Sequence, residues 1–170
     1  MGTLKSVVLL RTASKRMKVA VDSDIVGIEL KRTVVAHLVS LGIEVEDLDL
    51  LGRQKVDYPD VGYNLARRLA NKEFDRGVLI CGTGLGMAMI ANKVEGIYAG
   101  VCHDVYSAER LRKSNDAQII TMGSRVVGPE LAKSVLSAWV RSEFDGGPSA
   151  PKVARMRELE KLDRHSSEAE

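Results

Sequence analysis

The chain has 170 residues, with 25 Lys and Arg against 23 Asp and Glu, a formal charge of +2 and 45% hydrophobic residues. This suits one soluble globular domain with a sizeable core, and it excludes a polyanion-binding surface built on net charge alone. One Trp, four Tyr and two Phe, scattered along the chain, supply no stacking platform for nucleic acid, and two cysteines give neither a disulfide framework nor a zinc-ligand set.

Residues 1–16 carry Lys5, Arg11, Lys15 and Arg16 and one short apolar run, Val7 to Leu10, below the length of a signal-peptide core. They read as an N-terminal extension ahead of a domain over residues 17–147. No apolar run approaches the ~20 residues of a membrane span, so a cytoplasmic, reducing setting without a membrane partner is expected.

From Met17, short β-branched runs alternate with stretches of helical period. Lys18 to Val21 predicts a first strand, followed by a helix from about Gly27 whose stripe of Val34, Val35, Leu38, Val39 and Leu41 is stopped by Gly42. Strand two is Ile43 to Leu48. A loop holding Asp57-Tyr58-Pro59-Asp60 leads to a helix through Leu65 and Leu69, and then to strand three, Gly77 to Cys81. A glycine loop, Gly82 to Gly86, opens a small-residue helix reaching about Lys93. Strand four is Tyr98 to Cys102, a helix covers about Ser107 to Lys113, and strand five is Gln118 to Thr121. The last core helix carries Leu131, Val135, Leu136, Trp139 and Val140 and ends near Asp145 to Gly147. Residues 148–170 read as a short helix (Val153, Met156, Leu159) and a loose tail that contact a partner subunit. The alternation predicts an α/β, Rossmann-like three-layer sandwich: a five-stranded parallel sheet with helices on both faces.

Ligands of such sheets bind beyond the carboxyl ends of the strands. Those ends are Asp22-Ser23-Asp24, Cys81-Gly82-Thr83-Gly84, Cys102-His103-Asp104 and Gly123-Ser124-Arg125. In Cys81-Gly82-Thr83-Gly84-Leu85-Gly86, alternate glycines permit unusual backbone angles, and the helix start behind them presents unpaired N–H groups, together an anion-binding concavity. A Cys placed there is expected to become a thiolate able to act as base or nucleophile. The spacing fits neither the dinucleotide fingerprint nor a phosphate loop. Cys102 reads as core. Asp24 caps its helix or binds a substrate hydroxyl, His103 faces the cleft or a turn, Asp104 caps, and Arg125 takes a phosphate or sits on the surface. Met87 and Met89 are expected to pack, and His165 to be solvated. A nucleotide-binding Rossmann module would need glycines after the first strand, where Asp22-Ser23-Asp24 stands instead.

Leu79 to Gly86, Ala91-Asn92-Lys93-Val94, Cys102-His103-Asp104, Ser107-Ala108, Asn115-Asp116-Ala117, Met122 to Gly128 and Glu130 to Lys133 follow in an order that resembles the ribose-5-phosphate isomerase B / galactose-6-phosphate isomerase family, over about Met17 to Glu160. The resemblance implies aldose–ketose isomerisation of a phosphorylated sugar without a metal or organic cofactor. It further implies a site shared between subunits of a homodimer or dimer of dimers. By position, Cys81 matches the family's base and Thr83 a proton relay between O1 and O2, with the N–H groups of Gly82, Gly84 and Gly86 holding the enediolate oxygen. Asp24, Tyr58, His103, Ser114 and Asn115 fall at substrate-contacting positions, and Arg125 and Lys152 at phosphate-side positions.

Two departures bear on the substrate. Many family members have a His where this chain has Ile25, and another, credited with opening the furanose ring, where it has Ser114. Many also read Gly-Gly-Arg-His where this chain reads Gly146-Gly147-Pro148-Ser149. A tetrose 4-phosphate has O4 esterified and cannot close a furanose, so an isomerase of erythrose 4-phosphate needs no ring-opening acid. The expectation is therefore a four-carbon substrate, with a pentose or hexose phosphate as the alternative and a non-catalytic sugar-phosphate-binding subunit as the rival from another class.

Overall fold

The structure, a computed structural model, describes residues 16–53 and 56–167. The extension up to Lys15 lies outside the described residues. Five strands, β1 (Lys18–Ser23), β2 (Glu44–Asp47), β3 (Arg76–Cys81), β4 (Ala99–Val101) and β5 (Ile119–Gly123), form one parallel sheet in the order β2-β1-β3-β5-β4. The helices are α1 (Ile28–Ser40), α2 (Leu50–Arg53), α3 (Tyr58–Ala70), α4 (Leu85–Ala91), α5 (Val105–Lys113), α6 (Pro129–Arg141) and α7 (Ala150–Ser167).

The sheet is covered on both faces, so the middles of β1, β3 and β5 are apolar runs, and the side-chain period of two sorts them between two cores. Val19, Val21, Val78, Ile80 and Ile120 pack under α1 and α6 with Leu38, Leu136 and Trp139. Ala20, Leu79 and Ile119 pack on the other face with Leu65 and Leu69 of α3 and Met87 of α4. The strand order reverses between β1 and β3, and there the carboxyl ends splay into a crevice flanked by Asp24 and Cys81.

The α/β sandwich agrees with the sequence reading, and four local departures have physical causes. The loop expected after strand two contains α2. The helix α6 stops at Arg141 because Ser142 turns extended and the buried Arg76, more than sixty positions earlier, donates to the Trp139, Val140 and Ser142 carbonyls. The short helix expected near the C-terminus runs to Ser167, seated by buried Val153 and by Glu160, which accepts from the Gly96 N–H and the Tyr98 hydroxyl. The side chain of His165 lies outside the described residues. Met87 is fully buried as expected, but Met89 is 70% exposed. Among the described residues no helix is long and apolar enough to cross a membrane.

Candidate active site

Cys81 ends β3, buried, and its sulfur accepts a hydrogen bond from the Gly84 N–H at 3.0 Å. That short return is possible because Gly84 has φ +81°, a left-handed conformation, and because a Cβ there would lie 2.9 Å from the Met122 carbonyl carbon. The loop is pressed onto β5 and held there by the buried Thr121 hydroxyl, which donates to the Gly84 carbonyl at 2.8 Å. Thr83 is exposed at the mouth, its Oγ1 accepting from the Leu85 N–H at 3.3 Å. The Gly86 and Met87 N–H groups, in the first turn of α4, have no acceptor among the described residues.

Gly86 has a further task. A Cβ at Gly86 would stand 2.5 Å from Tyr58 Cε2, so the Tyr58 ring lies directly on this residue. Tyr58 opens α3, whose N-terminus is fixed by a capping box of Asp57 and Asp60. With Met89 and Ile90 the ring borders an apolar cavity of about 210 Å3 beside the loop.

Asp24 takes the first of the two roles the sequence left open, the cap. Its Oδ1 caps the turn Ile25–Gly27, accepting from the Val26 and Gly27 N–H groups at 3.0 Å each, while Oδ2 has no hydrogen-bond partner among the described residues. Burial pushes its carboxyl above the ordinary value; the two N–H bonds and Arg125 oppose this, and nearby Asp57 adds to it. Arg125 is exposed and its side chain runs along Gly82, where a Cβ would be 3.6 Å from Arg125 Cδ. Beyond its electrostatic pull on Asp24, its guanidinium makes no hydrogen bond or close ion pair among the described residues. It is a cation at the mouth of the crevice, as a phosphate contact requires.

Sequence reasoning singled out Arg125 in the β5 turn but missed the residues that hold the turn. Ser124 donates its N–H to the Cys81 carbonyl at 2.8 Å and its hydroxyl to the Val26 and Cys81 carbonyls at 2.9 and 3.2 Å. One side chain thus ties the Asp24 turn to the end of β3. Gly123 is required by contact, since a Cβ there would lie 2.7 Å from Thr83 Cα. The Gly-Ser-Arg run after strand five was the available signal. His103 is half-buried and engaged with protein, its Nε2 accepting from the Gly123 N–H at 2.9 Å. Asp104 caps α5 through the Ser107 N–H at 2.7 Å, and these bonds hold its carboxyl below the ordinary value. Cys102 is core, its thiol pushed up to about 12 by burial.

Three expected site residues do not join this crevice within the chain. Gly123 pairs with Cys81 and Ile119 with Gly77, so the residues leading directly into Ile119 lie at the strand-start edge, opposite the crevice. Ser114 caps the end of α5 there and Asn115 follows it, roughly 15 Å from Cys81 along the strands. The nine residues of α5 carry the chain back from strand ends to strand starts. Lys152, exposed near the start of α7, is at that edge too, since α7 is anchored on Gly96, Tyr98 and Asp116.

An ion cluster joins the buried Lys31 and Asp22 to the exposed Asp47 and Asp49. Lys31 reaches Asp47 at 2.8 Å, Asp49 at 3.3 Å and Asp22 at 3.7 Å. Burial opposes its charge, but the carboxylates outweigh burial and hold the ammonium above its ordinary value.

Comparison with known proteins gives the same picture. The family described as Ribose/Galactose Isomerase matches residues 19–156. The D-erythrulose-4-phosphate isomerase of Pectobacterium atrosepticum is 47% identical over 151 residues, 88% of this chain and 99% of that protein. Ribose-5-P isomerase B of Listeria innocua is 49% identical over 148 residues, 87% of this chain and 100% of that one. The structure of Clostridium thermocellum ribose-5-phosphate isomerase B superposes with a TM-score of 0.81 at 44% identity, covering 86% of this chain and 99% of that one. With the parallel sheet, the glycine loop and the Cys81 crevice already in place, these likenesses establish that the chain belongs to the ribose/galactose isomerase family and is a sugar-phosphate isomerase.

Proposed function

We propose that this isomerase moves a proton between C1 and C2 of an open-chain sugar phosphate with Cys81 as the base, and that its substrate has four carbons. The observation that carries the chemistry is the Cys81 sulfur at a strand end, inside a loop that also bears the Thr83 hydroxyl and two unpaired N–H donors. The sulfur takes the proton from C2, an S–H bond forms, and the C2–H electrons become the C1–C2 double bond of an enediolate. The Gly86 and Met87 N–H groups hold its developing oxygen charge, and the expected Gly84 N–H does not, being committed to the Cys81 sulfur. Thr83 passes a proton between O2 and O1, and the thiol returns its proton to C1, leaving a carbonyl at C2. Asp24 Oδ2 accepts a substrate hydroxyl, Tyr58 walls the site and Arg125 takes the phosphate.

Four carbons are favoured because the position credited with the ring-opening His holds Ser114, and the other departed His position holds Ile25. Ile25 projects into solvent at the mouth, and Ser114 is at the far edge. The Pectobacterium relative's name points the same way, and the Listeria relative's name points to a pentose at nearly equal identity. Ser114, Asn115 and Lys152 fit the same reading if two copies pack crevice to strand-start edge, so that each site is completed by a second chain. Turnover of erythrose 4-phosphate, ribose 5-phosphate and a hexose 6-phosphate by the purified protein tests the substrate. The tetrose is expected to have the highest kcat/KM, and a ribose 5-phosphate value tenfold higher than the tetrose value removes the four-carbon reading.

A further inference from the structure

His103 is the polar residue of the crevice to which the reaction above gives no task. It stands two residues beyond β4, half-buried, in the turn that Asp104 closes by capping α5. Its Nε2 is 2.9 Å from the Gly123 nitrogen. A peptide N–H can only donate, so Nε2 is the acceptor and the neutral ring keeps its proton on Nδ1.

The peptide held in this way is the one on which the reactive loop rests. Gly123 is the ladder partner of Cys81, and its α-carbon has room for nothing larger than hydrogen: a Cβ would meet Thr83 Cα at 2.7 Å, the Thr83 carbonyl carbon at 2.8 Å and the Gly82 carbonyl oxygen at 2.9 Å. The next two N–H groups point the other way, Ser124 to the Cys81 carbonyl at 2.8 Å and Arg125 to the Gly82 carbonyl at 3.1 Å. Three consecutive peptides of this turn are therefore fixed at once, two by the reactive loop and one by an imidazole from the turn after β4.

We propose that His103 is a positioning residue: by accepting from the Gly123 N–H it sets the 123–125 turn against the Cys81–Thr83 loop, and so fixes the sulfur and the Thr83 hydroxyl relative to one another. This rests on the reading of Cys81 and Thr83 as base and relay. It assigns His103 a role through the Gly123 peptide and none in contact with the sugar: the Nε2 lone pair is committed to that N–H, and the role asks nothing of Nδ1. Loss of the acceptor releases one of the three fixed peptides, and since misplacement of reacting groups by about 1 Å can cost on the order of a hundredfold, the effect falls on turnover.

Two variants and two sugars test it. His103→Leu removes the acceptor, and His103→Gln restores one through its amide oxygen. The expected result is a kcat at least tenfold lower in the Leu variant on both erythrose 4-phosphate and ribose 5-phosphate, with KM within twofold, and recovery of a third or more of the lost rate in the Gln variant. The backbone amide resonances of Cys81, Thr83 and Gly123 should move in the Leu variant and return in the Gln variant, a readout that needs no turnover and applies to His103→Ala should the Leu variant fail to fold. A rise in KM at unchanged kcat, a loss confined to ribose 5-phosphate, or unmoved loop resonances would overturn the proposal. Cys81→Ala run alongside separates the two levels: retained proton exchange there removes the base reading, while unmoved loop resonances in the His103 variants remove this one.

Discussion

The Gly84 N–H donates to the Cys81 sulfur across 3.0 Å, closing a three-residue return that joins the strand end to the glycine loop and the start of α4. The bond directs the sulfur toward the loop at the base of the crevice. Cys102, just past the end of β4, by contrast sits in the apolar core with residues of α6 and has no glycine loop behind it.

The two thiols should therefore differ toward an alkylating agent. Cys102 remains a protonated thiol at neutral pH, pushed up to about 12 by burial, and thiolate is the nucleophile. Peptide mapping after brief iodoacetamide treatment at pH 7.5 is expected to find Cys81 carboxamidomethylated well ahead of Cys102. Equal rates at the two sites would contradict this assignment of roles.

Two glycine substitutions separate fold from function. Gly86→Ala places its methyl against the ring edge of Tyr58, a side chain that can swing away, and the gain in helix propensity of up to ~1 kcal/mol offsets the contact. The variant should melt near wild type and show a raised KM. Gly123→Ala instead meets backbone atoms of Thr83 that cannot yield, an overpacking cost of about 1–3 kcal/mol that should lower Tm by roughly 3–10 °C along with kcat. Thermal melts and initial rates on both variants check the contrast, and a fully active, stable Gly123→Ala would refute it.

Lys31 is the counter-charge of a buried carboxylate. Lys31→Met leaves Asp22, fully buried, facing Asp47 without its cation, and should cost about 3 kcal/mol at neutral pH. Burial already holds Asp22 above its ordinary value of 3.8, so its folded form binds protons more readily than its unfolded form. A raised carboxyl pKa makes stability fall as pH climbs from 3.8 toward the folded value, and removing Lys31 widens that window. Lys31, raised above its ordinary 10.5, contributes fully below that pH and is lost only above it. Urea unfolding at pH 4 and pH 7 should accordingly show a smaller gap between variant and wild type at pH 4. A gap that is equal at both pH values would count against the pairing.

Periodicity was enough to find the sheet and its helices, because the buried central strands β1, β3 and β5 carry apolar runs and core-facing helices carry a stripe, as Leu65 and Leu69 do in α3. The reactive loop was legible for a local reason: Cys81 and three glycines stand within six residues. What escaped was set by distant partners. The end of α6 depends on Arg76, the buried state of Lys31 on carboxylates in another strand and loop, and the tie between Asp24 and Cys81 on the Ser124 hydroxyl. Ser114 and Asn115 were recognised as a motif, but motif order carries no information about which edge of the sheet a residue occupies. The direction of α5 supplies it.

The central claim is that the Cys81 sulfur removes the C2 proton of the sugar phosphate. Its most direct measurement is deuterium incorporation at C2 of erythrose 4-phosphate, with ribose 5-phosphate in parallel, followed by NMR in heavy water for the wild type and Cys81→Ala. General-base catalysis contributes roughly 10²–10⁴ in rate, so the wild type should exchange the C2 proton readily. The variant should lose exchange by at least the lower of those factors while still binding the sugar phosphate in a titration. Exchange by Cys81→Ala at the wild-type rate would contradict the account.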